Sequence, residues 1–183
     1  MKQGSDNLES IGEWIASSAR PVKAEDIVAE IERQLGPQAI DGIYRERVLS
    51  QRTRRYELQA PAKASGVEVL HTLLGIELKV GNRRLLCPDL ATARYLAVFA
   101  RIGCDAVAVP YDISHISRIA DELESAWHRM LLLVEHMTAG RSERLRALVR
   151  RRLLADLREN ILKVGAGGKF PKFNQRTRQR KGW

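Results

Sequence analysis

Apolar residues at helical spacing predict three short helices in the first third of the chain. The first runs over residues 6–18, and the second ends at Gly36-Pro37. The third runs from Gln38 into a cluster of arginines. Three such helices favour a helix-turn-helix or winged-helix unit, in which the third helix reads nucleic acid. That helix would carry Arg45, Arg47, Arg52, Arg54 and Arg55.

The middle of the chain changes to a period of two. Residues 60–66 are typical of a linker, and residues 67–74 predict a short helix. Alternating strands over 76–80 and 83–87 are joined by Gly81-Asn82, a strong signal for a hairpin turn. Asp89 then caps an apolar helix, and a strand follows at 106–109. The segment 60–110 therefore predicts a small αββαβ layer.

An unbroken heptad pattern marks the longest predicted helix, over residues 113–137. A second helix follows from Ser142 to about Val164 after a short connection, which favours an antiparallel helical hairpin. The second helix would fill the heptad seam. Alternatively, two copies of the 113–137 helix would pair and form a homodimer.

These elements predict an α-rich α+β protein with four parts. The parts are N-terminal helices over 1–59, the αββαβ core over 60–110, the hairpin over 111–164 and a flexible basic tail over 165–183.

Charge is distributed unevenly along the 183 residues, whose formal net charge is +9. Residues 1–43 carry four basic and eight acidic side chains, whereas residues 138–183 carry fourteen basic and three acidic ones. A strong basic excess at one end indicates an acidic partner, and nucleic acid is the leading candidate. The acidic first 43 residues would contact protein partners or shield the basic surface.

The tail is the most informative segment. It contains six Lys or Arg, no Asp or Glu, and three of the ten aromatic residues of the chain. Such a segment can follow RNA or single-stranded DNA, with cations on phosphates and Phe170 and Phe173 stacked on bases. The phosphate-binding residues predicted in the tail are Lys169, Lys172, Arg176, Arg178, Arg180 and Lys181.

Arginines also line the second hairpin helix. Arg144, Arg151 and Arg158 repeat every seven residues and share one side of a helix, so they can track a phosphate backbone. Arg150 and Arg152 add to this surface. Alternatively, the arginines would pair with Asp121, Glu122 and Glu124 of the neighbouring helix.

Glu77-Leu78-Lys79 resembles the E-x-K triplet of restriction-type nucleases, and the αββαβ order is similar to that fold. The resemblance implies that Glu77 would hold Mg²⁺ and Lys79 would orient water, with Glu68 and Asp89 as companions. The sequence departs from the pattern, because Pro88-Asp89 follows the triplet instead of preceding it and one strand is missing.

Other chemistry has little support in the sequence. Cys87 and Cys104 form no close pair, and the four histidines have no metal-site spacing. No signal peptide or membrane span is predicted, so we expect a cytoplasmic protein without a cofactor. The leading hypothesis is a non-catalytic nucleic-acid-binding subunit of a larger ribonucleoprotein or DNA-processing assembly. The alternatives are the Mg²⁺-dependent nuclease and a helical scaffold that binds proteins.

Overall fold

Five helices and two small antiparallel sheets make up the described part of the chain, residues 23–58 and 66–167, in a computed structural model. The helices are α1 (Ala24–Leu35), α2 (Ile40–Ile43), α3 (Leu90–Ile102), α4 (Ile116–Met137) and α5 (Glu143–Val164). The strands are β1 (Thr53–Glu57), β2 (Val67–Thr72), β3 (Gly75–Val80), β4 (Arg83–Cys87) and β5 (Ala106–Pro110). The mixed α+β class is as predicted. The predicted helix over 6–18 and the basic residues of the tail lie outside the described residues.

The predicted third helix ends before the arginine cluster. It is α2 followed by a π-helical turn, Tyr44–Val48. Ser50 Oγ and Gln51 Nε2 then donate hydrogen bonds to the carbonyl oxygens of Glu46 and Arg47, at 2.6 and 2.7 Å. Because these side chains satisfy carbonyls that the next helical turn would otherwise bond, the helix stops there.

Arg52, Arg54 and Arg55 are therefore not on a reading helix, and that prediction is wrong. Arg52 precedes β1, and the other two lie within it. β1 pairs antiparallel with β5, where Arg55 lies opposite Ala108. This pairing joins residues 49 to 57 positions apart, so local helical spacing carried no sign of it.

Residues 67–74 do not form the predicted helix either. Val67 and Val69 lie opposite Val80 and Leu78, so β2 is the first strand of a β2-β3-β4 meander. Thr72 Oγ1 closes the turn by donating to the carbonyl oxygen of Gly75 at 3.1 Å. The two residues at the tip, Leu73 and Leu74, are fully exposed. An apolar pair at this position concealed the turn, since turns usually carry Gly, Asn, Asp or Pro.

The rest of the middle segment follows the prediction more closely. β3 and β4 form the predicted hairpin, where Gly81 adopts φ +59°. Asp89 caps α3 by accepting a hydrogen bond from the backbone N–H of Thr92 at 2.7 Å. β5 is completely buried, but it pairs with β1 and not with the meander. The segment is thus ordered βββαβ, and the predicted αββαβ layer is wrong in its first element.

The heptad seam of α4 is buried from Ile116 to Met137. Its most extensive helix contact is with α3, and not with α5 as predicted. α3 is apolar around most of its circumference and needs cover on several sides, which explains this preference. A homodimer through residues 113–137 stays a prediction, but the seam through which two copies would pair is buried within this chain. None of the described helices has the length and apolar composition that crossing a membrane requires.

Candidate nucleic-acid interface

Three arginines in the first half of α5 have no acidic partner among the described residues. Arg144 and Arg151 are exposed and line a shallow groove with Ala147 and Leu148. Arg150 is also exposed, on a flank of the same helix. Within residues 23–58 and 66–167, none of these three guanidinium groups forms an ion pair or a side-chain hydrogen bond. Their charges therefore remain available to an outside anion.

Three carboxylates of α4, those of Asp121, Glu122 and Glu124, are paired with arginines outside α5. Arg94 of α3 lies 2.8 Å from Asp121 and donates from Nε to Glu124 at 3.1 Å. Glu122 accepts from Arg118 at 3.1 Å and lies 3.6 Å from Arg47. These bonds with Glu124 and Asp121 raise the pKa of the Arg94 guanidinium. The alternative in which Asp121, Glu122 and Glu124 neutralise the arginines of α5 is thus wrong.

Two further arginines predicted to bind phosphate are partly engaged. Arg152 Nη1 lies 3.1 Å from Glu25 Oε1 on α1, and both side chains are about half exposed. Arg158 is only half-exposed and lies close to Cys104. Burial raises the pKa of the Cys104 thiol to about 12, and the positive charge of Arg158 partly opposes that shift. The line of three arginines is therefore fully exposed only at Arg144 and Arg151.

The arginines around β1 form a second cluster. The Arg52 guanidinium lies over the ring of Tyr111, 5.0 Å from its centroid, in a cation–π contact. Arg55 pairs with Glu57 at 3.2 Å. The Nε of Arg54 is buried and has no hydrogen-bond partner among the described residues.

The tail starts beside this second cluster. The Tyr44 hydroxyl donates to the carbonyl oxygen of Gly165 at 2.9 Å and accepts from the N–H of Ala108 at 2.8 Å. Gly167 packs so tightly that a Cβ there would lie 2.7 Å from Thr53 Oγ1. The first three residues of the tail are therefore anchored against β1 and β5. They bring the tail to the Arg52–Arg55 cluster, more than a hundred residues away in sequence.

Burial raises the pKa of the Tyr44 hydroxyl to about 12, so it keeps its proton at neutral pH. The neutral hydroxyl can therefore donate and accept at once. This bond matters for the fold as well, because β5 pairs on one edge only. On the other edge, the backbone of Ala108 is satisfied by Tyr44 and by the hydroxyl of Tyr95, which donates to its carbonyl oxygen at 2.5 Å.

The two arginine clusters lie far apart. Arg144 and Val164 are separated by twenty residues of one helix, which corresponds to about 30 Å. The exposed arginines of α5 are thus at the far end of that helix from the tail.

The residues of the nuclease resemblance are all engaged in ion pairs or in a helix cap. Lys79 Nζ lies 3.2 Å from Glu68, and Glu77 lies 3.4 Å from Arg84. Asp89 is occupied as the cap of α3. β2 supplies a third strand before the helix, but Pro88-Asp89 still follows the triplet. In the described ranges, no group of three or more His, Cys, Asp or Glu side chains is arranged to hold a metal ion.

Sequence reasoning missed one basic residue that the structure brings to the arginines of α5. Arg101, in the last turn of α3, lines a recess together with Arg150. Arg94 and Arg101 are the only charged residues of α3. Their spacing of seven residues in an otherwise apolar helix was the available signal.

Comparison with known proteins adds no relative: no protein-family model, curated protein or solved structure matches this chain.

Proposed function

We propose that this chain is a non-catalytic nucleic-acid-binding subunit of a larger ribonucleoprotein or DNA-processing assembly, and that it binds RNA or single-stranded DNA. One observation carries the proposal. Arg144, Arg150 and Arg151 of α5 are exposed and have no acidic partner among the described residues, while Asp121, Glu122 and Glu124 of α4 pair with other arginines. A folded chain leaves such charges unpaired at little cost in water, and an anionic strand can then recruit them by releasing counterions.

In this proposal the two basic clusters have different roles. Arg144, Arg150 and Arg151 bind phosphates from a rigid helix, where their positions are fixed. The cations of the tail bind phosphates beyond Gly167, and Phe170 and Phe173 stack on unpaired bases. Arg52 and Arg54 of the second cluster add phosphate contacts on the folded surface, next to the start of the tail.

The separation of the clusters sets a length for the bound strand. At the 3.4 Å rise per nucleotide of a stacked helical strand, 30 Å corresponds to about nine nucleotides, and an extended single strand covers it with fewer. Oligonucleotides of about this length or longer would engage both clusters, and much shorter ones would engage one. We also propose that α4 and α5 form an antiparallel hairpin that supports the first cluster, since only residues 138–142 connect them.

The test measures affinity for a labelled single-stranded 20-mer, by fluorescence anisotropy, at several salt concentrations. The full chain should lose affinity steeply as salt rises, because each phosphate contact releases counterions. Deleting residues 168–183 keeps the anchored residues 165–167 and should weaken binding at least about tenfold, with a shallower salt dependence. If the full chain does not bind the 20-mer even in dilute buffer, the proposal is wrong. If the deletion leaves the affinity unchanged, the tail has no part in binding.

A further inference from the structure

Two arginines from different helices line one recess on the surface. Arg101 of α3 and Arg150 of α5 lie around a shallow depression of about 270 Å³. Gly66, Val67 and Trp127 form the rest of its lining. The recess is distinct from the groove between Arg144 and Arg151, and its two arginines come from helices that pack against each other.

The recess holds positive charge without compensation from described residues. Neither Arg101 nor Arg150 has an ion pair or side-chain hydrogen bond within the described ranges, and no carboxylate lines the recess. The carbonyl end of α3 lies next to Arg101, but a helix terminus supplies only about half a negative charge. Two guanidinium groups beside one depression therefore leave a net positive site.

Another arginine of the same helix shows what a compensated position looks like. Arg94 precedes Arg101 by seven residues and pairs with Asp121 and Glu124 of α4. Asp121 and Glu124 are three residues apart on α4, and Trp127 follows three residues later and lines the recess. α4 therefore provides two carboxylates beside Arg94 but an aromatic ring beside Arg101. The indole N–H of Trp127 donates to no described residue.

We propose that this recess binds a phosphate group. Arginine presents a planar fork of donors that matches two phosphate oxygens, and two such forks from a rigid pair of helices fix the position of the group. The phosphate would come from the strand bound in the proposed function, on which this part of the proposal rests. A free phosphate ion offers the same chemistry, and the experiment separates the two sources.

The first arm uses inorganic phosphate and the full chain. Its readout is the indole N–H resonance of Trp127 in a ¹⁵N correlation spectrum, assigned with Trp127→Phe. Phosphate should shift this resonance to saturation, whereas potassium chloride at equal ionic strength should not. Arg101→Gln should remove the shift, Arg101→Lys should retain part of it, and the matched control Arg94→Gln should leave it intact. Thermal unfolding of each variant shows that it is folded.

The second arm measures affinity for the labelled single-stranded 20-mer. Arg101→Gln should bind the 20-mer about fivefold more weakly than the unmodified chain at 0.1 M salt, because it loses one phosphate contact. Arg94→Gln should bind like the unmodified chain. If phosphate shifts the Trp127 resonance and Arg101→Gln lowers the affinity for the 20-mer, the recess binds a phosphate of the nucleic-acid strand. A phosphate shift with unchanged 20-mer affinity assigns it to a free phosphate ligand and overturns the strand assignment.

Absence of a saturable shift in the folded chain, or a shift that survives both Arg101→Gln and Arg150→Gln, overturns the recess as a phosphate site. The proposed function fails separately, because it fails when the unmodified chain does not bind the 20-mer. The phosphate titration can be read in either case.

Discussion

Two surfaces of this protein are rich in arginine, and they differ in whether the chain provides the counter-charge. The α4 surface, formed by Arg47, Arg94 and Arg118 with Asp121, Glu122 and Glu124, is paired within the chain. The α5 surface, formed by Arg144, Arg150 and Arg151, has no paired member among the described residues. The comparison teaches that the number of arginines does not predict binding. What matters is which carboxylates the fold places beside them.

The difference follows from the packing of α4. Its apolar seam lies mainly against α3, so its acidic side chains face the arginines of α3 and of the segment after α2. α5 packs against α1 through Val149, Leu153, Leu157 and Ile161 and presents its other side to solvent. On that side, Arg144, Arg150 and Arg151 meet water and no carboxylate of the described residues. A polyanion is therefore expected to bind the α5 surface and to ignore the α4 surface.

Among substitutions on the folded surface, the largest expected effect comes from neutralising two exposed arginines of the α5 surface. Arg144→Gln with Arg151→Gln should weaken binding of a single-stranded 20-mer on the order of tenfold at 0.1 M salt. The salt dependence should become shallower by between one and two, since each contact to a single strand contributes about 0.7 to the slope. Fluorescence anisotropy over a salt series measures both quantities.

A matched control removes the same amount of charge from paired positions. Arg33 pairs with Glu30, and Arg118 pairs with Glu122. The double variant Arg33→Gln with Arg118→Gln also lowers the net charge by two, but it should change affinity by less than about twofold. Equal losses in both double variants would mean that total charge drives binding, and the distinction between the surfaces would then fail.

The elements that sequence periodicity located correctly share one property: their signals are local. The heptads of α4, the stripe of α5, the Asp89 cap and the Gly81-Asn82 turn all rest on residues close together in sequence. The strands β1 and β2 were mistaken for helix because each depends on a partner elsewhere. β1 is fixed by β5, and β2 is fixed through a turn whose tip is Leu73-Leu74.

The candidate site divides in the same way. Sequence alone indicated the arginines of α5, because their spacing lies within one helix. It could not indicate that Asp121 and Glu124 face Arg94, or that Arg101 and Arg150 share a recess. Both statements depend on how helices remote in sequence pack. The same holds for the contact between Gly167 and Thr53, which brings the tail beside β1.

A smaller effect is expected from a substitution on the α4 surface, and the quantity that changes is the free energy of unfolding. Arg94→Gln removes contacts to Asp121 and Glu124 and leaves Glu124 partly buried without its partner. The loss should be about 1 kcal/mol in the free energy of unfolding, which corresponds to a fall of about 2–4 °C in Tm. Arg151→Gln, at an unpaired exposed position, should stay within about 0.5 kcal/mol.

Urea unfolding followed by circular dichroism measures both variants. The two arginines thus exchange roles between assays, since Arg94 should matter for stability and Arg151 for binding. A variant of Arg151 that lowers stability as much as Arg94→Gln would show that the α5 surface has an intramolecular partner after all.

The smallest effect tests the ion pair between Arg152 of α5 and Glu25, which among the described residues is the one that links an arginine of α5 to another helix. Arg152 and Glu25 of α1 are 3.1 Å apart, and both are about half exposed, so the pair contributes at most about 1 kcal/mol. Glu25→Gln should free Arg152 for phosphate and strengthen binding of the 20-mer about twofold at 0.1 M salt, with a slightly steeper salt dependence.

The control uses Asp26, the adjacent acid of α1, which accepts a hydrogen bond from the backbone N–H of Lys23. Asp26→Asn changes the net charge equally without freeing an arginine. If the two variants gain affinity equally, the gain reflects net charge alone. A gain confined to Glu25→Gln would show that one carboxylate of the acidic N-terminal segment, that of Glu25, competes with phosphate for Arg152.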